Sequence, residues 1–162
     1  MIRNIYILLL LTFGLGQDYS LNFENDSYVT VPHSDNLDFG ESEPMSISFW
    51  MKIFNLHEIH ILGKRAGQND CSFQVTGGSF HGSNWYQGLF FEMPSETGMW
   101  FHLALTFDGD AMFAYINGTE VASGSGRSLG PKSSVPIEIG TLQWGQSQDA
   151  FDGLIDEVAI WN

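Results

Sequence analysis

From Met45 to Ile53 the side chains alternate without a break. Ile47, Phe49, Met51 and Ile53 fall on one face, and Ser46, Ser48, Trp50 and Lys52 on the other. A period of two marks a half-buried β-strand, because successive side chains leave a pleated backbone on opposite sides. The pattern returns in Phe101, Leu103, Leu105 and Phe107 against His102, Ala104 and Thr106. Shorter runs predict strands at Tyr19–Phe23, Tyr28–Val31, Ile59–Leu62, Phe73–Thr76, Leu89–Met93 and Met112–Ile116, around Ile137 and Ile139, and at Gly153–Trp161. Turn signals divide them: the polar Glu24–Ser27, a loop opened by Pro32-His33-Ser34-Asp35 and running to Gly40, and Asp108-Gly109-Asp110. Asn117-Gly118 is the strongest hairpin signal, since both central residues of that tight turn need positive φ. Helical periodicity is missing. About ten or eleven short strands with frequent turns predict an all-β fold of two antiparallel sheets packed as a sandwich.

Composition sharpens this picture. The 162 residues are 43% hydrophobic and 14% aromatic, enough for one domain with a packed core and too short for two comfortable ones. At the N-terminus, Arg3 precedes an apolar run from Ile5 to Leu11, and Gly14-Leu15-Gly16 supplies small residues at the spacing a signal peptidase requires. This predicts a signal peptide at residues 1–16, cleaved after Gly16, with 17–162 as the domain. The apolar run is too short to span a bilayer, so a secreted, extracellular protein without membrane insertion is expected. Loss of Arg3 leaves five basic against 19 acidic residues, a net charge of −14. That surface repels nucleic acid and anionic lipid, whose recognition depends on Lys and Arg. Cys71 is the single cysteine, so an intrachain disulfide is excluded. Its alternation with Phe73 and Val75 makes it a buried small hydrophobe.

The order of these blocks also resembles a known family. Leu21-Asn22-Phe23-Glu24 followed by Tyr28-Val29-Thr30-Val31-Pro32 is similar to the opening strand pair of laminin-G-like domains. MSISFWMK at Met45–Lys52 resembles the third strand, and Ile61-Leu62-Gly63-Lys64 the short strand after it. The runs Trp100–Gly109, Tyr115–Val121 and Phe151–Asn162 complete the sequence order. The resemblance, to the laminin-G-like, concanavalin A-like lectin/glucanase group, implies a jelly-roll sandwich used mainly to bind glycans or proteins. Such domains usually continue for several residues past the point reached at Asn162, so the chain reads as a module truncated at its C-terminus. The segment Gly77–Gly88 matches the family least, and variable loops carry specificity.

The same resemblance sets what to look for. Glucanases of this fold carry a Glu-x-Asp-x-x-Glu cluster on one strand, and this chain has none. Asp156 and Glu157 are neighbours and therefore point to opposite faces of a strand, where they cannot flank one glycosidic bond. No catalytic residues and no enzyme activity are therefore expected. His57-Glu58-Ile59-His60 lacks the spacing of a helical zinc motif, and on a strand its imidazoles would diverge. Similar folds hold a structural Ca²⁺ between the first strand's turn and an acid on the last strand. The resemblance assigns that role to Glu24, Asp26 and Asp156, whose carboxylates suit a hard cation. The alternative is that Asp156 only bonds loop backbone.

Two loops carry the chemistry of sugar recognition. Gly78–Gly88 is polar and glycine-rich and contains His81, Asn84, Trp85 and Tyr86, while Leu142–Asp149 places Trp144 among glutamines. Indole and phenol rings stack on the apolar face of a sugar, and Asn and His bond its hydroxyls. Alternatively either tryptophan tucks inward as a loop anchor. Trp50, Trp100 and Trp161 lie in strand patterns and read as core or sheet-face residues. Asn25-Asp26-Ser27 and Asn117-Gly118-Thr119 match the glycosylation sequon. The chain thus reads as a secreted carbohydrate-binding module, with His81, Asn84, Trp85, Tyr86 and Trp144 as ligand-binding residues. The alternatives are a protein-binding adhesion module and the non-catalytic domain of a larger secreted enzyme.

Overall fold

The computed structural model describes residues 19–24, 27–55, 59–67, 70–141 and 150–162. In chain order the strands are β1 (Leu21–Phe23), β2 (Val29–Val31), β3 (Met45–Ile53), β4 (His60–Arg65), β5 (Cys71–Thr76), β6 (Ser79–His81), β7 (Leu89–Phe90), β8 (Trp100–Phe107), β9 (Met112–Ile116), β10 (Thr119–Gly124), β11 (Ile137–Ile139) and β12 (Gly153–Trp161). Short 3₁₀ turns occupy Asp35–Leu37 and Trp85–Gln87. Two six-stranded sheets result, one ordered β1-β12-β3-β8-β9-β10 and the other β2-β11-β4-β5-β6-β7, with every named strand pair antiparallel. This is the two-sheet antiparallel sandwich that the alternation predicts, and the jelly roll that the resemblance implies.

The core lies between the sheets, where the predicted inward faces meet. Ile47, Phe49, Met51 and Ile53 of β3 and Phe101, Leu103, Leu105 and Phe107 of β8 pack against Ile61, Leu62, Phe73, Val75 and Phe80 of the second sheet. Most of these side chains are wholly withdrawn from water, and each contributes on the order of 2 kcal/mol by burial. Cys71 is likewise buried and free, and burial pushes its thiol up to about 11. The hairpin between β9 and β10 turns on Asn117 and Gly118, with φ of 51° and 77°, as its Asn-Gly pair predicts.

One charge sits inside this core. The β4–β5 register places Lys64 opposite Phe73, and its side chain is fully buried. Its Nζ donates to Asp38 Oδ1 at 2.8 Å and to the Leu37 carbonyl at 3.1 Å, and lies 3.1 Å from His33 Nδ1. This clamp ties the loop between β2 and β3 to the sheet. Burial opposes ionisation of Asp38, but the bond from Lys64 and the Ser133 N–H outweigh it and hold the carboxyl below its ordinary value.

Two expectations change. The segment Gly77–Gly88 is not one loop: Ser79-Phe80-His81 forms β6, which pairs with both β5 and β7. Asp156 and Glu157 do not diverge as neighbours on a regular strand would. A β-bulge between Asp156 and Ala159 inserts one residue against β3, and Glu157 takes a left-handed φ of 51°. Both carboxylates then line one surface depression together with Ser20, Trp50 and Trp100.

Candidate functional site

The outward face of the second sheet is polar because the alternation that buries Phe73, Val75 and Phe80 must turn their neighbours the other way. Strand register lines these neighbours up in rows. Glu138 of β11 stands opposite Gly63 of β4, then Gln74 of β5, then His81 of β6. The next row runs His60, Thr76, Ser79 and Phe90 across β4, β5, β6 and β7. Within this face lies a cleft of about 390 Å³, lined by His60, Arg65, Gln74, Thr76 and Ser79, with Trp85 and Phe90 as its large apolar walls.

The polar groups are held in place by one another. Arg65 Nη1 donates to Gln74 Oε1, and Arg65 Nε donates to the Gly67 carbonyl at 3.3 Å. Thr76 Oγ1 and Ser79 Oγ share a hydrogen at 2.6 Å. Such mutual bonds fix side-chain rotamers before any ligand arrives, which lowers the entropy cost of recognition.

Trp85 is set by its local chain. Asn84 caps the 3₁₀ turn: its Oδ1 accepts from Tyr86 N at 3.1 Å, and its Nδ2 donates to Gln87 Oε1 at 2.8 Å. The turn folds the Trp85 ring back over the sheet, edge-on to His81 at 4.4 Å between centroids and to Phe90 at 4.9 Å. Gly88 permits this closeness, because a Cβ there would lie 2.4 Å from His81 Cβ. Trp85 still keeps 47% of its surface exposed, so a stacking face is left at the mouth of the cleft.

His81 lies underneath and is almost fully buried. Its Nδ1 sits 2.7 Å from the Gly82 carbonyl, so Nδ1 carries the hydrogen and Nε2 is the acceptor. Nε2 has no hydrogen-bond partner among the described residues. Burial pushes the imidazole down to about 4, which keeps it neutral.

The sequence-predicted residues therefore separate. Trp85 borders the cleft, and His81 supports it from below. Tyr86 is 88% exposed but is not part of the cleft lining, and Asn84 uses its carboxamide to cap its own turn. Trp144 and Asp26 lie outside the described residues, as does His57. Glu24 follows the Phe23–Gly153 pair, whereas Asp156 follows the Ile155–Leu21 pair at the other end of β1. Glu24 Oε1 accepts from Asn22 Nδ2, and Asp156 Oδ1 accepts from Glu157 N at 2.8 Å. Among the described residues no group of three or more His, Cys, Asp or Glu side chains is placed to hold a metal.

Arg65, Gln74, Thr76, Ser79 and Phe90 were not singled out by sequence reasoning. The signal for three of them was present: Gln74 and Thr76 alternate with Phe73 and Val75, and Ser79 with Phe80.

A family model described as the concanavalin A-like lectin/glucanases superfamily, Laminin_G_3, matches residues 23–162. The chain belongs to this family. Solved structures of the superfamily fold agree in outline. Domain 4 of AbnA, an extracellular arabinanase from Geobacillus stearothermophilus seen in complex with arabinotriose, is 24% identical with a TM-score of 0.61, over 91% of this chain and 76% of that one. A heptameric SAP-like pentraxin from Limulus polyphemus is 17% identical with a TM-score of 0.61, over 85% and 76%. Domains LG4-5 of the mouse laminin α1 chain are 16% identical with a TM-score of 0.56, over 87% of this chain and 40% of that one. At these identities the likeness establishes the fold alone. A search of the curated proteins finds no match. Among the described residues no helix is long and apolar enough to cross a membrane.

Proposed function

We propose that this laminin-G-like domain is an extracellular carbohydrate-binding module, and that its second-sheet cleft receives the sugar. The observation that carries the reading is Trp85, held edge-on by His81 and Phe90 at the mouth of a cleft whose floor is polar. A pyranose or furanose ring needs both surfaces: an aromatic face for its C–H groups, and donors and acceptors for its hydroxyls. Gln74, Thr76 and Ser79 supply the latter, and Arg65 adds a forked donor. Trp144, outside the described residues, is the second ring we assign to the ligand.

The reading is recognition without turnover. Glycoside hydrolysis requires a pair of carboxylates across the scissile bond, and the described lining of the cleft contains neither Asp nor Glu. The arabinotriose complex of the AbnA domain supports the choice of a first ligand class. The test is calorimetric titration of the protein with arabino-, xylo- and gluco-oligosaccharides, alongside Trp85→Ala. Saturable binding of one series that weakens by about tenfold or more in the variant is expected from loss of a stacking face. Binding unchanged in Trp85→Ala would remove the cleft from the reading.

A further inference from the structure

The first sheet carries a second depression on its own outward face, across the sandwich from the cleft. Trp50 of β3 stands between Asp156 of β12 and His102 of β8, and its ring lies 5.3 Å from the His102 ring. Trp100 is two residues before His102 on β8, hence on the same face. Trp50 and Trp100 are 39% and 40% exposed, although both belong to strands in the middle of the sheet. The bulge in β12 adds Glu157 beside Asp156. The two indoles, the two carboxylates and Ser20 together line about 420 Å³ of space open to solvent.

The chemistry of this lining is one-sided. Indole faces are negative, carboxylates are negative, and no cationic side chain is among the lining residues. Lys52, the neighbouring cation on this face of β3, leans 5.9 Å over the Phe54 ring. A metal ion is a poor match, since the indoles offer it no ligand atom. An organic cation fits both kinds of wall, by cation–π attraction to the rings and charge-assisted hydrogen bonds to the acids. The chain's net charge of −13 draws such a group in from a distance.

We propose that this depression is a docking point for a lysine or arginine side chain of a partner protein. Its openness favours a side chain over a free small cation, which would keep much of its surface in water. A side chain arrives with its own polypeptide around it, which covers the mouth and displaces that water. The inference is independent of the sugar-binding reading, because it uses the opposite sheet and none of the cleft residues.

The test uses the five tryptophans as reporters. The protein is labelled at its indole nitrogens, the signals are assigned with Trp50→Phe and Trp100→Phe, and a short acetylated Gly-Ser-Arg-Ser-Gly amide is titrated in. The Trp50 and Trp100 signals are expected to shift saturably while the Trp85 signal stays in place. The shift should weaken by about tenfold in Asp156→Asn and in Glu157→Gln, as loss of a charged hydrogen-bond acceptor implies. Asn keeps the acceptor that Asp156 offers to Glu157 N, and Glu157 is exposed, so both variants retain the fold. The citrulline version of the peptide, which has the shape without the charge, should leave the signals unmoved. Equal shifts with citrulline, full shifts in both variants, or no shift at all would overturn the proposal. Tighter binding of tetramethylammonium than of the arginine peptide would also overturn it, and would assign the pocket to a small quaternary ammonium ligand.

Discussion

Acid should weaken this protein through one identified ring. His81 is neutral in the folded state with its pKa pushed down to about 4, against 6.5 for the free side chain. Between those values the unfolded chain binds a proton that the folded chain refuses, so stability falls as pH falls through that window and recovers as pH rises above it. The full shift corresponds to about 3 kcal/mol, and about 2 kcal/mol of it is lost between roughly pH 6.5 and pH 4.5. The carboxylates whose pKa is lowered, Asp38, Glu43 and Asp108, titrate below this interval and lose their contribution only in stronger acid. A paired comparison isolates this ring. His81→Gln removes it and leaves the other histidines. Urea unfolding followed by tryptophan fluorescence at the two pH values should show the parent losing about 2 kcal/mol more than the variant. Equal losses would refute the argument and mean that the imidazole is hydrated or paired when folded.

Other perturbations have equally definite outcomes. Lys64→Met removes the buried cation that bonds Asp38, leaving the Leu37 carbonyl without that donor and the carboxylate with only the Ser133 N–H; a loss of about 3 kcal/mol in chemical unfolding is expected. Gly88→Ala forces a methyl against His81 Cβ and the Phe80 carbonyl, so thermal unfolding should shift down by several degrees, with a matching loss of the sugar affinity proposed for the cleft as Trp85 is displaced. Cys71 should resist a thiol reagent in the native protein and react fully in urea, because burial raises its pKa to about 11 and denies access; rapid native labelling would contradict that placement.

Legibility in the sequence followed the range of the interactions involved. β3 and β8 could be read directly, because alternation is local and their inner faces are uniformly apolar. The hairpin at Asn117-Gly118 was legible for the same reason: the turn's φ demand falls on two adjacent residues. The cleft was not. Its floor is assembled by register between residues as distant as Arg65 and Phe90, and nothing in any one strand announces which polar face will meet an aromatic lid. β6 was hidden because three residues between Gly78 and Gly82 are too few to display a period. The Asp156-Glu157 pair misled for a specific reason, since a one-residue bulge cancels the parity on which the opposite-face argument rests. Trp85 was found from composition alone, yet its support came from His81, Phe90 and Gly88, whose roles depend on packing.

The position of β12 has a consequence for how the chain acquires its shape. This strand, late in the sequence, lies between β1 and β3, so it joins the first strand to the rest of the first sheet. Until Trp161 has been synthesised, β1 has no neighbour in that sheet and β3 offers a bare edge lined with backbone donors and acceptors. The second sheet waits in a similar way, since β2 reaches β4 only through β11. A nascent chain of this topology cannot lock early from its N-terminal half. Contacts spanning most of its length must form together, which slows folding and keeps the growing polypeptide pliable. The polypeptide therefore stays open until β11 and β12 have emerged, and its two sheets close together rather than one strand at a time.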